Sequence, residues 1–412
     1  MEVMHHCCAG LDVHKDTVVA CVRRTLPDGR VENQVRTFAA TTSGLLELGD
    51  WLVEEKATIA AMESTGVYWK PVWNLLEGRL DLMLVNARDV KQVPGRKTDV
   101  KDCQWIAQLL ACGLLKRSFV PPVGQRELRD LTRTRTSLLQ DKTRLANRLQ
   151  KTLEDANIKL GSVASDVLGV SGREMIRALI DGKMSPQQMA ELARRQLRLK
   201  IPALKDALTG RVSEHHRFML KFQLDHIEQL EQQIAQLDRR IEEVMTPLDR
   251  TALQLLDEIP GIDCRAAQNI IAEIGVDMSR FPSADHLASW AGMCPGNNQS
   301  AGKRRSGRMN DGNRWLKGTL NQCAWAASRK KDSYFAAQHR RVASRRGVKR
   351  ATMAVAHSQL CVCFELLKHG QFYNDLGRDY FERSSEDRTR RHLVKRLEKL
   401  GYTVTLDKKD AA

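Results

Sequence analysis

The sequence has no run of about 18 apolar residues, so no segment of it would cross a membrane as a helix. It also lacks the basic-then-apolar layout of a signal peptide in its first residues, MEVMHHCCAG. The first absence argues against an integral membrane protein and the second against a secreted one. We therefore expect a cytoplasmic protein.

Cysteine pairs of the CxxC type are absent too, although the chain has 10 cysteines. The cluster His5–Cys8 precedes an apolar stretch that is typical of a strand, where neighbouring side chains point to opposite faces. Its four side chains should therefore not converge on a metal ion. In a reducing cytoplasm we expect the cysteines to be free thiols, most of them buried.

Basic residues are in clear excess, with 66 Lys and Arg against 50 Asp and Glu and a formal charge of +16. Such an excess indicates a polyanionic partner, nucleic acid above all, although a generally basic surface would give the same balance. The 412 residues suffice for two or three domains with full cores.

Residues 1–118 show an α/β pattern. Two apolar strands surround the turn in CAGLDVHKDTVVACVRR, a third strand follows as VENQVRTFAA, and helical and strand patterns then alternate. Three antiparallel strands followed by alternating helix and strand is the order of a ribonuclease H-like domain. In that topology the first and fourth strands are neighbours.

Residues 119–248 show an almost entirely helical pattern. Ile227, Ile234 and Ile241 repeat every seven residues, and Leu230 and Leu237 follow three residues after the first two. These are heptad positions, which predict a coiled coil that we interpret as a contact between two subunits.

An earlier helix of this region carries Arg126, Arg129 and Arg133 on one face with few acids beside them. This stripe predicts phosphate contacts, and a solvated helix face is the plainer alternative.

Residues 249–370 form a second compact region that we predict to be mainly helical. The turn Ile259–Ile262 between two helical patterns resembles a helix-hairpin-helix, in which Gly261 would let backbone N–H groups meet a phosphate. A Gly- and Arg-rich loop follows, NNQSAGKRRSGRMNDGNRWLKG, and then a helix over 316–327. The charged tail, 371–412, is expected to be helical.

Four acidic residues stand out by position. Asp12 lies inside the first strand, Glu63 ends the fourth, and Asp99 and Asp102 open the helix after the fifth. A carboxylate in an apolar strand is costly to bury unless something offsets its charge. Each acid alone also fits a strand end or a helix N-terminus favoured by the helix dipole.

Together the four acids predict a two-metal site. The first and fourth strands are adjacent in the expected topology, and residues three apart share a helix face. Hard oxygen ligands select Mg²⁺ or Mn²⁺, and two such ions activate the attacking oxygen and stabilise the leaving oxygen of a phosphodiester. Lys97 and Lys101 would lie near the scissile phosphate or soften repulsion between the acids.

The chain resembles the DEDD transposases of the IS-one-ten (IS110) insertion-sequence family, which are related to the Piv-type DNA invertases. The matching segments follow the order of the family: GLDVHKD, MESTGVYW, VNARDVKQVPGRKTDVKDCQWIAQLL, IPGIDCRAAQNIIAEIG, FPSADHLASWAGMCPGNNQSAGKRRSGR and GNRWLKGTLNQCAW. The resemblance extends from about residue 7 to about residue 365.

The resemblance implies a RuvC-like N-terminal domain, a coiled-coil middle and a C-terminal transposase domain. It implies Asp12, Glu63, Asp99 and Asp102 as the catalytic acids. It also implies an essential serine in a Ser-Gly-Gly-Lys loop, which matches Ser300 here with Ala301 as the departure. An element-encoded structured RNA that pairs with donor and target DNA is implied as a partner.

The resulting hypothesis is a DNA recombinase that excises and inserts its own element as a dimer or tetramer. Lys303, Arg304, Arg305 and Arg308 follow the serine and would neutralise the phosphate. One alternative is a metal-dependent nuclease of Holliday-junction type, in which the serine only binds phosphate. Another is a non-catalytic nucleic-acid-binding protein descended from such an enzyme.

Overall fold

The computed structural model describes residues 3–64, 66–87, 90, 102–294, 298–300, 303–306, 309 and 312–406. Of residues 298–300, 303–306, 382–389 and 392 it describes the backbone alone. The chain forms two compact units, Met1–Pro121 and Pro122–Ala412.

The first unit is built on a five-stranded mixed sheet. Its strands are β1 (Cys7–Val13), β2 (Thr17–Thr25), β3 (Val31–Ala39), β4 (Ile59–Glu63) and β5 (Asp81–Val85). Their order is β3-β2-β1-β4-β5, with β1, β2 and β3 antiparallel and β1, β4 and β5 parallel. The prediction that the first and fourth strands are neighbours is therefore confirmed.

Three helices accompany the sheet: α1 (Thr42–Glu54), α2 (Trp69–Leu76) and α3 (Asp102–Ala111). The Thr41 hydroxyl accepts the Gly44 N–H and begins α1, whose Leu45, Leu48 and Leu52 are buried against the sheet. The apolar residues of α3 pack on β1, β4 and β5, the strands that supply Cys8, Ile59 and Val85 to one core. Helices thus enclose the central strands, as parallel pairing requires.

The second unit is mainly helical, as predicted. Its α-helices are α4 (Val123–Asp155), α5 (Leu160–Val163), α6 (Val170–Asp181), α7 (Pro186–Ala190), α8 (Ile201–Ala207), α9 (Glu214–Val244), α10 (Pro247–Asp257), α11 (Cys264–Ile274), α12 (Ala284–Trp290), α13 (Arg314–Ala327), α14 (Tyr334–Arg346), α15 (Val348–His369) and α16 (Tyr380–Lys399). Two cores hold it together, one around α6, the C-terminal half of α4 and the N-terminal half of α9, the other around α11, α13 and α15. No helix of the described part is long and apolar enough to span a membrane.

The heptad seam of α9 packs inside its own chain, which corrects the interpretation of it as a contact between subunits. Ile227 and Leu230 share a core with Leu149 and Leu153 of α4. Ile241, further along α9, joins Leu128 of α4 in the other core. The apolar face that would drive dimerisation is already covered, because α4 and α9 lie along each other as a helical pair.

Two predicted segments of the second unit have definite conformations. The segment expected to be a loop contains two short strands, β6 (Asn298–Ser300) and β7 (Lys303–Ser306), paired antiparallel. The tail contains α16, which confirms the helix expected there. The division of residues 119–412 into three domains stays a prediction.

The seam within one chain predicts the effect of a charge at Ile234. Ile234 is buried in α9, so Ile234→Asp places an unpaired carboxylate between two helices and should lower the free energy of unfolding by about 3–5 kcal/mol. Chemical denaturation measures this loss. Ala235→Asp, on the exposed side of the same helix, is the matched control and should cost under about 1 kcal/mol. If the parent protein were a dimer and Ile234→Asp gave a folded monomer of unchanged stability, the internal seam would be contradicted.

Candidate active site

Asp12 and Glu63 lie side by side at the end of the sheet. The parallel pairing of β1 and β4 runs from Cys8 opposite Ile59 to Leu11 opposite Met62. One residue further along each strand are Asp12 and Glu63, so their Cα atoms are about 4.8 Å apart if the strands keep their usual spacing. Both strands leave the buried core at this point, and the two carboxylates are partly exposed.

Gly10 brings α3 against the same strand. A Cβ atom at Gly10 would lie 2.1 Å from the carbonyl oxygen of Cys103 and 2.5 Å from the backbone nitrogen of Ala107. Only a glycine allows the backbones of β1 and α3 to come so close. Because Asp12 is two residues after Gly10 and Asp102 directly precedes Cys103, this contact carries Asp102 towards Asp12.

The electrostatics of Asp12 show that the three acids interact. Burial raises the pKa of the Asp12 carboxyl above its usual value, and the carboxylates of Asp102 and Glu63 raise it further. His14 acts in the opposite direction and only partly compensates. The sequence predicted that these acids converge, and the structure brings three of them within electrostatic range.

His14 is a member of this cluster that sequence reasoning did not single out. Its Nε2 lies 3.1 Å from Oδ2 of Asp12, and its ring is largely exposed. The available signal was the spacing, since His14 directly follows β1 and residues two apart in an extended segment share a face. The histidine holds the Asp12 carboxylate in place and can donate a hydrogen bond to it.

The donor chemistry of the cluster suits a hard divalent cation. Asp102 and Glu63 add to the cost of ionising Asp12, and the three carboxylates form an anionic cluster whose charge a cation would offset. Among the described segments, no three Asp, Glu, His or Cys side chains are close enough to hold one ion. The predicted fourth ligand, Asp99, and the predicted phosphate contacts Lys97 and Lys101 lie outside the described residues.

Ser300 ends β6 and pairs with Lys303 at the start of β7. The serine therefore lies at the tip of a hairpin in a two-stranded sheet. Lys303, Arg304 and Arg305 follow it in β7. Arg308 lies outside the described residues.

The basic stripe of α4 has partners within its own unit. Arg133 forms a two-pronged ion pair with Glu273, with Nε–Oε1 and Nη2–Oε2 distances of 2.7 and 2.8 Å. Arg129 donates from Nε to the Ala272 carbonyl oxygen at 2.9 Å and from Nη2 to the Glu273 carbonyl oxygen. Burial lowers the pKa of the Arg129 guanidinium to about 10.

These contacts give Arg129 and Arg133 a structural role that the spacing of the stripe did not reveal. The Arg129 side chain is 12 % exposed, so little of it remains available to a phosphate. Arg126 of the same helix is half-buried, and its phosphate contact stays a prediction.

Gly261 occupies the turn between α10 and α11, as predicted. Its φ of +85° favours glycine, and a Cβ atom there would lie 2.3 Å from the Cys323 carbonyl oxygen of α13. Ile259 and Ile262 of the turn are buried in the core. This packing is sufficient reason for the glycine, and its phosphate contact stays a prediction.

Two family models match the chain. One, described as a transposase of the DEDD IS110 type, matches residues 9–158 and so includes Asp12, Glu63 and Asp102. The other, described as a transposase of the IS116/IS110/IS902 family, matches residues 253–340 and includes Ser300. The two matches together cover more than half of the chain.

Curated relatives agree with these models. An uncharacterized 44.8 kDa protein of insertion element IS116 from Streptomyces clavuligerus is 28% identical over 273 residues, 58% of this chain and 66% of the relative. A 43.6 kDa protein of insertion element IS110 from Streptomyces coelicolor is 31% identical over 29% of each chain. The pilin gene-inverting protein of Moraxella bovis is 40% identical over 78 residues, 18% of this chain and 24% of the relative. The chain thus spans less than two thirds of the length of each.

The raised pKa of Asp12 predicts an unusual effect on stability. A raised pKa means that the folded state binds a proton more tightly than the unfolded chain. The fold therefore loses stability as the pH rises from the usual pKa of an aspartate to the raised pKa of Asp12, and it stays less stable above that pKa. Asp12→Asn should therefore raise the melting temperature at pH 7, whereas a typical substitution costs about 1 kcal/mol. The gain should shrink as the pH falls and Asp12 becomes protonated.

Asp28→Asn is the control for this measurement. Hydrogen bonds from the Arg30 backbone and side chain lower the pKa of the Asp28 carboxyl, so the opposite sign applies and the melting temperature should not rise. Thermal unfolding followed by circular dichroism from pH 4 to pH 8 measures both variants. A lower melting temperature for Asp12→Asn at pH 7 would contradict the like-charge cluster.

Proposed function

Because the chain belongs to the IS110 family of insertion-sequence transposases, we propose that it is a recombinase that cuts and rejoins DNA at the ends of a mobile element. The observation that carries the proposal is the convergence of Asp12, Glu63 and Asp102 beside the parallel strands β1 and β4. Acids gathered where two adjacent parallel strands end suit phosphodiester chemistry, in which carboxylates hold the metal ions.

The fold of the first unit supports a ribonuclease H-like catalytic domain. Its strand order, with β1 in the centre between an antiparallel hairpin and two parallel strands, is the order expected for that fold. The acids then lie where β1 and β4 end and α3 crosses them. Asp99 completes the proposed set of four, by its place in the matching motif.

We propose that the four acids hold divalent metal, Mg²⁺ or Mn²⁺. Such an ion, when bound, offsets the charge of the acids and of the scissile phosphate and lowers the pKa of an attacking oxygen. His14 keeps the Asp12 carboxylate in one orientation. Gly10 keeps α3, and with it Asp102, beside the strand.

The proposed nucleophile is Ser300. Its Oγ attacks the phosphorus of a phosphodiester, the bond from phosphorus to the leaving sugar oxygen breaks, and the proton lost by Oγ is balanced by one gained at the leaving oxygen. The product is a phosphoserine that links the protein to one DNA end. Lys303, Arg304, Arg305 and Arg308 would neutralise the phosphate during this step.

The proposed partners are DNA, a structured guide RNA and further copies of this chain. The formal charge of +16 supports nucleic acid as a partner, and the pilin gene-inverting relative supports rearrangement of DNA as the reaction. Because the seam of α9 is internal, the subunits of an oligomer would meet through another surface. Arg126 is the residue of the α4 stripe that we assign to a nucleic-acid contact.

The serine mechanism predicts a covalent protein–DNA product. Stopping the reaction with denaturant and mapping DNA-linked peptides by mass spectrometry should find the link at Ser300. Ser300→Ala and Asp102→Asn should both lose it, whereas Ser306→Ala, in the same hairpin, should keep it. Cleaved DNA ends without an attached peptide would instead identify a metal-dependent nuclease of Holliday-junction type.

The position of α3 predicts that Gly10 is required although it has no side chain. Gly10→Ala would push α3 away from β1 and separate Asp102 from Asp12, with recombination reduced at least about a hundredfold, the usual size of a lost electrostatic group. Asp12→Asn and Glu63→Gln should be inactive as well and still bind DNA. Gly124→Ala, where a Cβ atom meets nothing within 4 Å, is the control and should stay active. Recombination by Gly10→Ala at the parental rate would contradict the site.

A further inference from the structure

A basic cleft crosses the second unit between α13, α14 and α15. Its volume of about 1860 Å³ exceeds the roughly 300–1,000 Å³ of small-molecule pockets, so its size suits a segment of a polymer. The proposed reaction uses none of the residues that line it. The cleft could therefore bind a ligand other than the phosphodiester that is cut.

The described residues that line the cleft include five cations and no acid: Arg314, Lys317, Arg346, Lys349 and Arg350. Four of them are exposed, and Lys317 is partly so. Three come from the short stretch where α14 ends and α15 begins, which concentrates positive charge along one wall. The ligand should therefore carry several negative charges in a row, as a chain of phosphates does.

An aromatic ring and an amide add a second kind of contact. The Trp325 side chain lines the cleft and is 44% exposed, with the Arg329 guanidinium 4.9 Å from the ring centroid. Gln338 donates from Nε2 to the Ser358 hydroxyl at 2.8 Å, and within the described part of the chain its buried Oε1 has no hydrogen-bond partner.

We propose that this cleft binds an unpaired strand of nucleic acid, with phosphates along the cations and a base against Trp325. The bases of a duplex are stacked on one another, so an exposed indole can stack only on a base that is unpaired. Gln338 can then bond the edge of that base. DNA and RNA share this chemistry, and the test separates them.

The cleft begins close to the hairpin of Ser300. Met309 lines it and lies three residues after Ser306, so their Cα atoms are at most about 11 Å apart. The choice of ligand rests on the proposed function, because strand exchange leaves a single strand near the cut. The cleft would hold that strand, or an unpaired part of a guide RNA, beside the hairpin.

Binding of labelled 20-nucleotide strands to the full-length protein, measured by fluorescence anisotropy without divalent ions, tests the charge. Lys349→Ala/Arg350→Ala should flatten the slope of log affinity against log salt by about 1.4, which is two phosphates at about 0.7 each. Lys221→Ala/Arg239→Ala removes two exposed cations of α9 outside the cleft, with the same change of net charge, and should leave the slope close to parental. Equal slopes for the two double variants would overturn the proposal.

Trp325 tests the stacking. Trp325→Ala should weaken binding of a single strand roughly fivefold to a hundredfold, and Trp325→Phe should restore most of it because phenylalanine also presents an aromatic face. Both variants should bind the matching duplex like the parent. A DNA strand, an RNA strand of the same sequence and the duplex are compared, and the tighter of the two strands identifies the source. Unchanged single-strand binding by a folded Trp325→Ala protein would overturn the proposal.

The binding test of the cleft and the covalent-product test of the proposed recombinase can fail independently. The binding measurements require no strand cleavage, so they remain valid for a protein that never forms a link at Ser300. Loss of single-strand binding in the cleft variants, without any covalent product from the parent, would uphold the cleft and reject the recombinase. A covalent product together with unchanged binding by the cleft variants would uphold the recombinase and reject the cleft.

Discussion

The second unit depends on one buried carboxylate. Glu273, at the end of α11, is 2% exposed and accepts the two-pronged hydrogen bonds of Arg133, while Asn313 donates to its Oε2. The Asn313 side chain also accepts the N–H groups of Trp315 and Leu316 and so begins α13. Three helices therefore meet at one charge. Without Arg133 the buried carboxylate would keep only Arg129, at 3.5 Å, as an ionic partner, and breaking a buried ion pair typically costs about 3–5 kcal/mol.

A second buried ion extends this layer along α4. The guanidinium of Arg135 is 1% exposed and donates to Asp238 of α9 and to Gln268 and Asn269 of α11. Burial lowers the pKa of Arg135, and the Asp238 carboxylate opposes that shift. Ionic contacts thus set the register of α4 against α9 and α11, whereas the apolar seam alone would tolerate sliding. Arg129, Arg133 and Arg135 of α4 therefore have structural partners, whereas four of the five cations that line the cleft are exposed.

The acid cluster of the first unit shows the opposite balance between stability and function. Asp12 is held near Asp102 and Glu63 at an electrostatic cost that the fold does not offset by itself. The backbone contact at Gly10 and the register of β1 with β4 enforce that proximity. Such a cluster is informative because nothing in the packing of the sheet requires it. Its cost is explained if a cation and a phosphate share the site during the reaction.

Local patterning was sufficient to predict the five strands and the mainly helical second unit, and it singled out Asp12, Glu63 and Asp102 as candidates. Apolar periodicity depends on neighbours along the chain, and a carboxylate in an apolar strand is visible without coordinates. Only the tertiary structure decided which segment packs against each apolar or basic helix face. The heptad seam of α9 packs on α4 of the same chain, and Arg133 meets Glu273, which is 140 residues away. Spacing shows that a face is apolar or basic, but the partner of that face depends on how distant segments pack together.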